Sequence, residues 1–384
     1  MTFLRAAAAA SLALTLLAGC SDDPAPVPKV DPVRTAGAGE GAVSLVAPSG
    51  LVEGGGIDQS IDWVKPFEEK TGCQATVRLA GSGQEAYDLM ARGGYDGGLV
   101  PPEFAGRLFA EKRIAAINTR LVSGFKGLDA RFRGLVKKDD ATFGVPYVWG
   151  ANLLAYDPAR TSAPGSWGAV FDPAESKDYK GEILWRDSPL TLGDAALYLK
   201  ARKRSLKIKN PFELTAVQLE AAAELLRKQR PNVRELWREP STAIEVFTAK
   251  DAVVGQGSAY EVDTLTRAGR PLTAASPKEG ETAWLDSWTV AAQPAHPNCM
   301  YQWLDWTLTA DVQAQVASWA GVAPVNEEAC GLLRAGFCAA HRVGDRGYLE
   351  RLNFVTPPMV DCGDGGKCAG WTEWQTAWTT VVGK

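Results

Sequence analysis

The sequence predicts an α/β fold in which largely parallel strands are covered by helices. Two observations carry this. Short apolar, strand-like runs alternate with segments of helical period in the first third of the chain, and the same alternation returns in its middle; glycine or proline marks most of the joins.

Val43-Ser44-Leu45-Val46-Ala47 alternates as a strand and breaks at Pro48-Ser49-Gly50. After Gly54-Gly55-Gly56, Ile61, Val64 and Phe67 recur at helical spacing until Thr71-Gly72 stops the helix. Gln74 to Leu79 reads as a second strand, Gln84 to Arg92 as a helix, and Tyr95-Asp96 leads into a third strand. In the middle, Gly181 to Trp185 is a strand. Thr215 with Gln218 forms a capping box before a helix carrying Leu219, Ala222, Ala223 and Leu226, which Pro231 ends. Ser241 is expected to cap a helix carrying Ile244 and Phe247, and Ala252-Val253-Val254 to be a strand opening into a loop, Gly255-Gln256-Gly257-Ser258. Later, Met300, Trp303, Leu304 and Leu308 share a helix face, and Thr309 is expected to cap a helix with Val312, Val316 and Trp319 on one side.

Composition narrows the function. With 46% hydrophobic and 22% charged residues the chain is globular, and 41 Lys+Arg against 45 Asp+Glu leaves no basic surplus for a nucleic-acid partner. Only His296 and His341 are available, so neither a multi-histidine metal site nor histidine-centred catalysis has raw material, and no metal or cofactor is expected. No G-x-S-x-G elbow is present, Gly366-Lys367 is followed by Cys368 where a phosphate loop needs Ser or Thr, and Gly54-Gly55-Gly56 lacks dinucleotide-binding spacing. Thirteen tryptophans beside four methionines suggest a ligand surface.

The N-terminus reads as an export signal. Arg5 precedes an apolar stretch from Ala6 to Leu17, and Leu17-Ala18-Gly19 places small residues before Cys20, as in a bacterial lipobox. Residues 1–19 are therefore the expected signal peptide, Cys20 the lipidation site, and 20–41, rich in Pro, Asp, Ala and Gly, a flexible tether. No later run of apolar residues is long enough to span a bilayer, so the expected membrane contact is through lipid only. Export to an oxidising compartment predicts disulfides among the other six cysteines. Loop closure favours Cys330 with Cys338 and Cys362 with Cys368, which leaves Cys73 with Cys299. Zinc is disfavoured because no C-x-x-C pair exists.

Seven stretches in common order carry a resemblance: Phe67-Glu68-Glu69-Lys70-Thr71-Gly72, Tyr95-Asp96, Val145-Pro146-Tyr147-Val148-Trp149-Gly150-Ala151, Tyr179-Lys180-Gly181, Pro231-Asn232-Val233, Gly257-Ser258-Ala259 and Trp284-Leu285-Asp286-Ser287. Together they resemble the spermidine/putrescine-binding group of ABC-importer substrate-binding proteins, across nearly the whole mature chain. The resemblance implies a two-lobed periplasmic-binding-protein fold, type II-like, with a hinge and an interlobe cleft. It places 42–148 plus 286–384 in lobe 1, with part of the C-terminal tail free to pack on lobe 2, and 149–285 in lobe 2.

It also implies a function: binding a polyamine or related small polar amine and delivering it to an ABC permease, as a monomer and without catalysis. A polyamine needs aromatic faces for its methylenes and carboxylates for its separated charges. Trp284 and Asp286 match such positions directly. Elsewhere the pattern departs: Ser49 stands where an aromatic pair is expected, Glu103 and Asp187 stand near positions of lost polar or acidic groups, and Gln256 and Tyr260 flank a glycine that replaces a tryptophan. Two further readings stay open at this point, a secreted hydrolase using paired carboxylates such as Asp187 and Glu103, and a surface lipoprotein without a small ligand.

Overall fold

The alternation around Val43 becomes β1 (Ala42–Pro48), and the next two apolar runs become β2 (Gln74–Ala80) and β3 (Gly97–Val100). A short hairpin of β4 (Lys137–Lys138) and β5 (Ala141–Thr142) stands apart. Then follow β6 (Val145–Tyr156), β7 (Ile183–Arg186), β8 (Val233–Trp237), β9 (Val254–Gly257), β10 (Thr273–Ala275), β11 (Thr282–Val290), β12 (Ala323–Pro324) and β13 (Asn353–Phe354). The computed structural model describes residues 32–35, 37–362 and 365–383; the expected signal segment 1–19, Cys20 and the first part of the tether lie outside them.

The main sheet runs β2-β1-β3-β11-β6-β9-β7-β8. β1 pairs in parallel with β2 and β3, and β7 in parallel with β8 and β9, as strands covered by helices on both faces do. β6 and β11 join these two groups through antiparallel pairing. From Val145 to Asn152, β6 pairs with β11; from Leu153 to Tyr156 it pairs with β9 and, nearly in step, β10. One continuous strand therefore belongs to two half-sheets, and the exchange of partners falls at Asn152/Leu153. β11 closes the return, with Thr282 opposite Asn152.

Local expectations are met at the capping box of Thr215 and Gln218, which is formed. Four local readings change. The helix Pro240–Thr248 starts on its proline, whose fixed φ suits the first helical position, so Ser241 lies inside it and does not cap. Thr309 stands at the N-terminus of the helix Ala310–Ala320, yet its hydroxyl donates back to the Trp306 carbonyl. Gly255-Gln256-Gly257 is buried strand, not loop, because a Cβ on Gly255 would lie 2.7 Å from Leu184 and only glycine permits that approach. The described tether residues 33–35 and 37–41 are tied to the body: the Gly37 N–H and the Glu40 carboxylate bond to Asn298, and the Asn118 amide donates to the Val33 carbonyl.

Ten of the thirteen tryptophans are buried, and only Trp284, Trp306 and Trp319 keep partial exposure. Most of the indoles therefore serve the core, contrary to a broad ligand surface. The C-terminal helix Trp371–Val382 spans both half-sheets. Trp374 stacks on Phe212 and Trp378 donates to Asp187, while Trp371 meets Phe104 edge-on at 5.2 Å and donates to Gln84.

Disulfides join Cys73–Cys299, Cys330–Cys338 and Cys362–Cys368. The first closes 226 residues, the others 8 and 6, and a crosslink restricts the unfolded chain more as its loop grows. Replacing Cys73 and Cys299 together by serine should lower stability in a denaturant titration by about 2–4 kcal/mol, more than removing either short-loop disulfide. Exported protein is expected to offer no alkylatable thiol.

Candidate functional site

Two carboxylates meet where β3 and β11 run side by side. β3 pairs with β11 through Val100 opposite Ser287, and the chain leaves β3 directly into the helix Pro102–Ala110, whose first turn carries Glu103. This brings Glu103 within electrostatic reach of Asp286, the residue at which the β6–β11 register shifts. Burial, with the charge of Glu103 added, pushes the Asp286 carboxyl up to about 8. Burial likewise pushes Glu103 up to about 7, against the pull of its own backbone N–H and of the Arg186 guanidinium. Neither carboxyl receives a hydrogen bond from another described residue. An acid pair left unpaired in a desolvated place is arranged to receive cationic hydrogen-bond donors.

Trp284 precedes Asp286 by two residues, so alternation sets both on one face of β11, with Thr282 on the same face. Its partner in register is Gly150, and a Cβ there would lie 2.6 Å from the indole. Glycine at that point lets the ring lie across β6, partly exposed.

Around the exchange of partners in β6 lies a buried polar network centred on Asp194. Gln256 donates to its carboxylate at 2.5 Å and Thr282 donates to its other oxygen. Asn152 donates to Thr282 at 2.6 Å and accepts from Nη1 of Arg186 at 2.7 Å. Burial raises the Asp194 carboxyl, and Arg186 with these hydrogen bonds opposes the rise. Arg186 also donates its backbone N–H to Gln256 and accepts from Thr191 at its carbonyl.

The profile of the bacterial extracellular solute-binding protein family matches residues 62–330. The chain belongs to that family. This solute-binding protein is 26% identical over 289 residues to the putrescine/agmatine-binding protein of Pseudomonas aeruginosa, across 70% of this chain and 76% of that one. It is 26% identical over 281 residues to the spermidine/putrescine-binding periplasmic protein of Escherichia coli, across 70% and 75%. Among solved structures, a Treponema pallidum lipoprotein aligns with a TM-score of 0.69 at 16% identity, covering 89% of this chain and all of that one. A spermidine/putrescine ABC transporter substrate-binding protein from Streptococcus pneumoniae aligns with a TM-score of 0.67 at 17% identity, covering 88% and 97%. The shared architecture is the two-lobed periplasmic-binding-protein fold. Membership replaces the hydrolase reading of the carboxylates: the protein binds a solute and is not an enzyme.

The expected site residues divide. Asp286 lies two positions beyond Trp284 on one face of β11 and within electrostatic reach of Glu103. Asp187 does not join them: its carboxylate accepts from Trp378 at 2.8 Å and from Arg238 at 2.9 Å, which fixes it to the C-terminal helix. Gln256 is buried within the Asp194 network, with its side-chain oxygen and nitrogen already bonded. The Tyr260 ring lies against Gly321, whose left-handed φ of +65° closes the helix Ala310–Ala320. Ser49 stands in an exposed turn, beside a Gly50 that approaches Trp319. Arg186 was missed, and a lone basic residue at a strand end gives no local signal. A wide groove of about 890 Å³ between residues 123–133 and 326–350 is mixed in charge and lies apart from the acid pair.

The unpaired acids carry a consequence for stability. Asp286 has a raised pKa in the fold, so its contribution is most favourable where it is protonated, near pH 4, and is lost as pH climbs toward 8. Asp286→Asn should therefore raise the thermal midpoint of the solute-free protein at pH 8 and change it little at pH 4. Equal effects at both pH values would show that the carboxyl is not held in its raised state.

Proposed function

We propose that this protein is the lipid-anchored receptor of an ABC importer and that it binds a small amine between its two lobes, hinged where β6 changes partners. The single observation that carries the reading is the half-buried acid pair of Glu103 and Asp286, to which no other described residue gives a hydrogen bond, with the partly exposed Trp284 on the same face of β11 as Asp286. Ammonium groups would supply the missing donors, and the indole face would take methylenes and attract a desolvated cation. The amines for which these relatives are named, putrescine, agmatine and spermidine, support the same chemistry. Delivery to a permease, action as a monomer outside the cytoplasm, and attachment through Cys20 complete the proposal. The lipobox-like Leu17-Ala18-Gly19-Cys20 supports the last of these, and among the described residues no helix is long and apolar enough to cross a membrane.

Calorimetric titration of the soluble mature chain with putrescine, agmatine, spermidine and cadaverine tests the amine. A bound cation favours the charged carboxylates, so binding should release protons at neutral pH and tighten as pH rises through about 7 and 8, where the free acids titrate. Asp286→Asn should weaken the best amine more than tenfold, and Trp284→Ala should weaken it by up to about 2 kcal/mol. Affinity that ignores both pH and Asp286→Asn would defeat the reading. For the anchor, Cys20→Ala should release the protein from membranes or leave its precursor uncleaved; unchanged fractionation and processing would remove the lipoprotein assignment.

A further inference from the structure

Arg186 is the described side chain with two buried polar atoms and no hydrogen-bond partner for either, Nε and Nη2. Its remaining anchor points are occupied: Nη1 donates to Asn152, the backbone N–H to Gln256, and the carbonyl accepts from Thr191. Asp194 faces Nη2 at 3.9 Å, which balances charge and is too long for a hydrogen bond. The open atoms are the two on one edge of the guanidinium. That edge presents parallel N–H groups in the fork that matches the two oxygens of a carboxylate, and a buried donor left without an acceptor is costly. Arg186 is tied through Asn152 to Thr282, which shares a face of β11 with Trp284 and Asp286, and its charge also acts on Glu103. The open cationic edge and the acid pair thus lie on the same side of β11.

A solute charged only positively satisfies the acids but sets an ammonium group against Arg186 and leaves Nε and Nη2 empty. We infer that the preferred solute is a zwitterion, with an amine held by Glu103 and Asp286 and a carboxylate held side-on by Nε and Nη2 of Arg186. This rests on the reading of the acid pair as the amine site and adds the second end of the molecule. Arg186 then selects among amines: it rewards an acid terminus and disfavours a second cation.

The experiment compares ligands matched in chain length, γ-aminobutyrate with putrescine and δ-aminovalerate with cadaverine, by calorimetry on the soluble mature chain. The amino acid of at least one pair should bind tenfold or more tighter than its diamine. Arg186→Gln should cost the amino acid at least tenfold more than it costs the diamine, reversing the preference. Arg186→Lys, which keeps the charge and loses the fork, should fall between. If the diamines bind tighter in the wild type and Arg186→Gln weakens both ligands alike, the zwitterion inference is overturned, Arg186 belongs to the hinge network alone, and the amine reading stands. If no amine of either kind binds, the amine reading falls and takes this inference with it. The wild-type ranking decides even where a variant fails to fold.

Discussion

Asp194 is a carboxylate almost wholly withdrawn from water, and such a group persists only where several partners satisfy it at once. Those partners come from distant parts of the chain: Gln256 from β9, Thr282 from β11, and Arg186 from the end of β7, itself tied to Asn152 of β6. Satisfying one acid therefore fixes four strands at the point where β6 leaves one half-sheet for the other. It aligns Thr282, and through strand alternation it aims Trp284 and Asp286 to the same side. It also holds the guanidinium of Arg186 in one orientation. The proposed recognition surface is thus ordered by a buried polar demand at the junction.

Glu103 and Asp286 illustrate the opposite choice. They occupy an environment that penalises charge; no other described residue gives either a hydrogen bond, and only the Arg186 guanidinium, acting on Glu103, offsets part of the penalty. A fold optimised for its own stability would place an amide or an apolar side chain there. On the proposed reading, retaining two acids turns folding energy into a preference for a cation, since a bound ammonium group would remove a penalty that the empty protein carries.

The sequence reads well where a signal is local. The strand at Val43–Ala47, the capping box at Thr215 and the helix from Gln84 depend on neighbours within a few positions, and the structure returns them nearly in place. Asp286 and Trp284 are singled out in the sequence only because an ordered set of stretches resembles a family. Arg186 is not, because its role arises from Asn152, 34 positions earlier, and from Asp194 and Gln256 in separate elements. The choice between Arg186 and Asp187 turns on a single step along the chain. Adjacent side chains at a strand end diverge, and here one meets the junction while the other is clasped by Trp378 and Arg238. The glycine-rich run at Gly255 misled for a related reason: glycine marks turns by its freedom, but here it marks closeness, with Leu184 against the backbone.

The last helix has a bearing on timing. Trp374 and Trp378 hold it to the second half-sheet, while Trp371 reaches Phe104 and Gln84 on the first, next in sequence to Glu103. Any motion that parts the half-sheets must pull an indole off a phenyl ring and out of a hydrogen bond, or drag the helix along. The same separation is needed for a solute to enter and to leave. On the proposed binding between the lobes, this aromatic clasp raises the barrier to entry and to exit alike, so it bears on exchange rates in both directions at once.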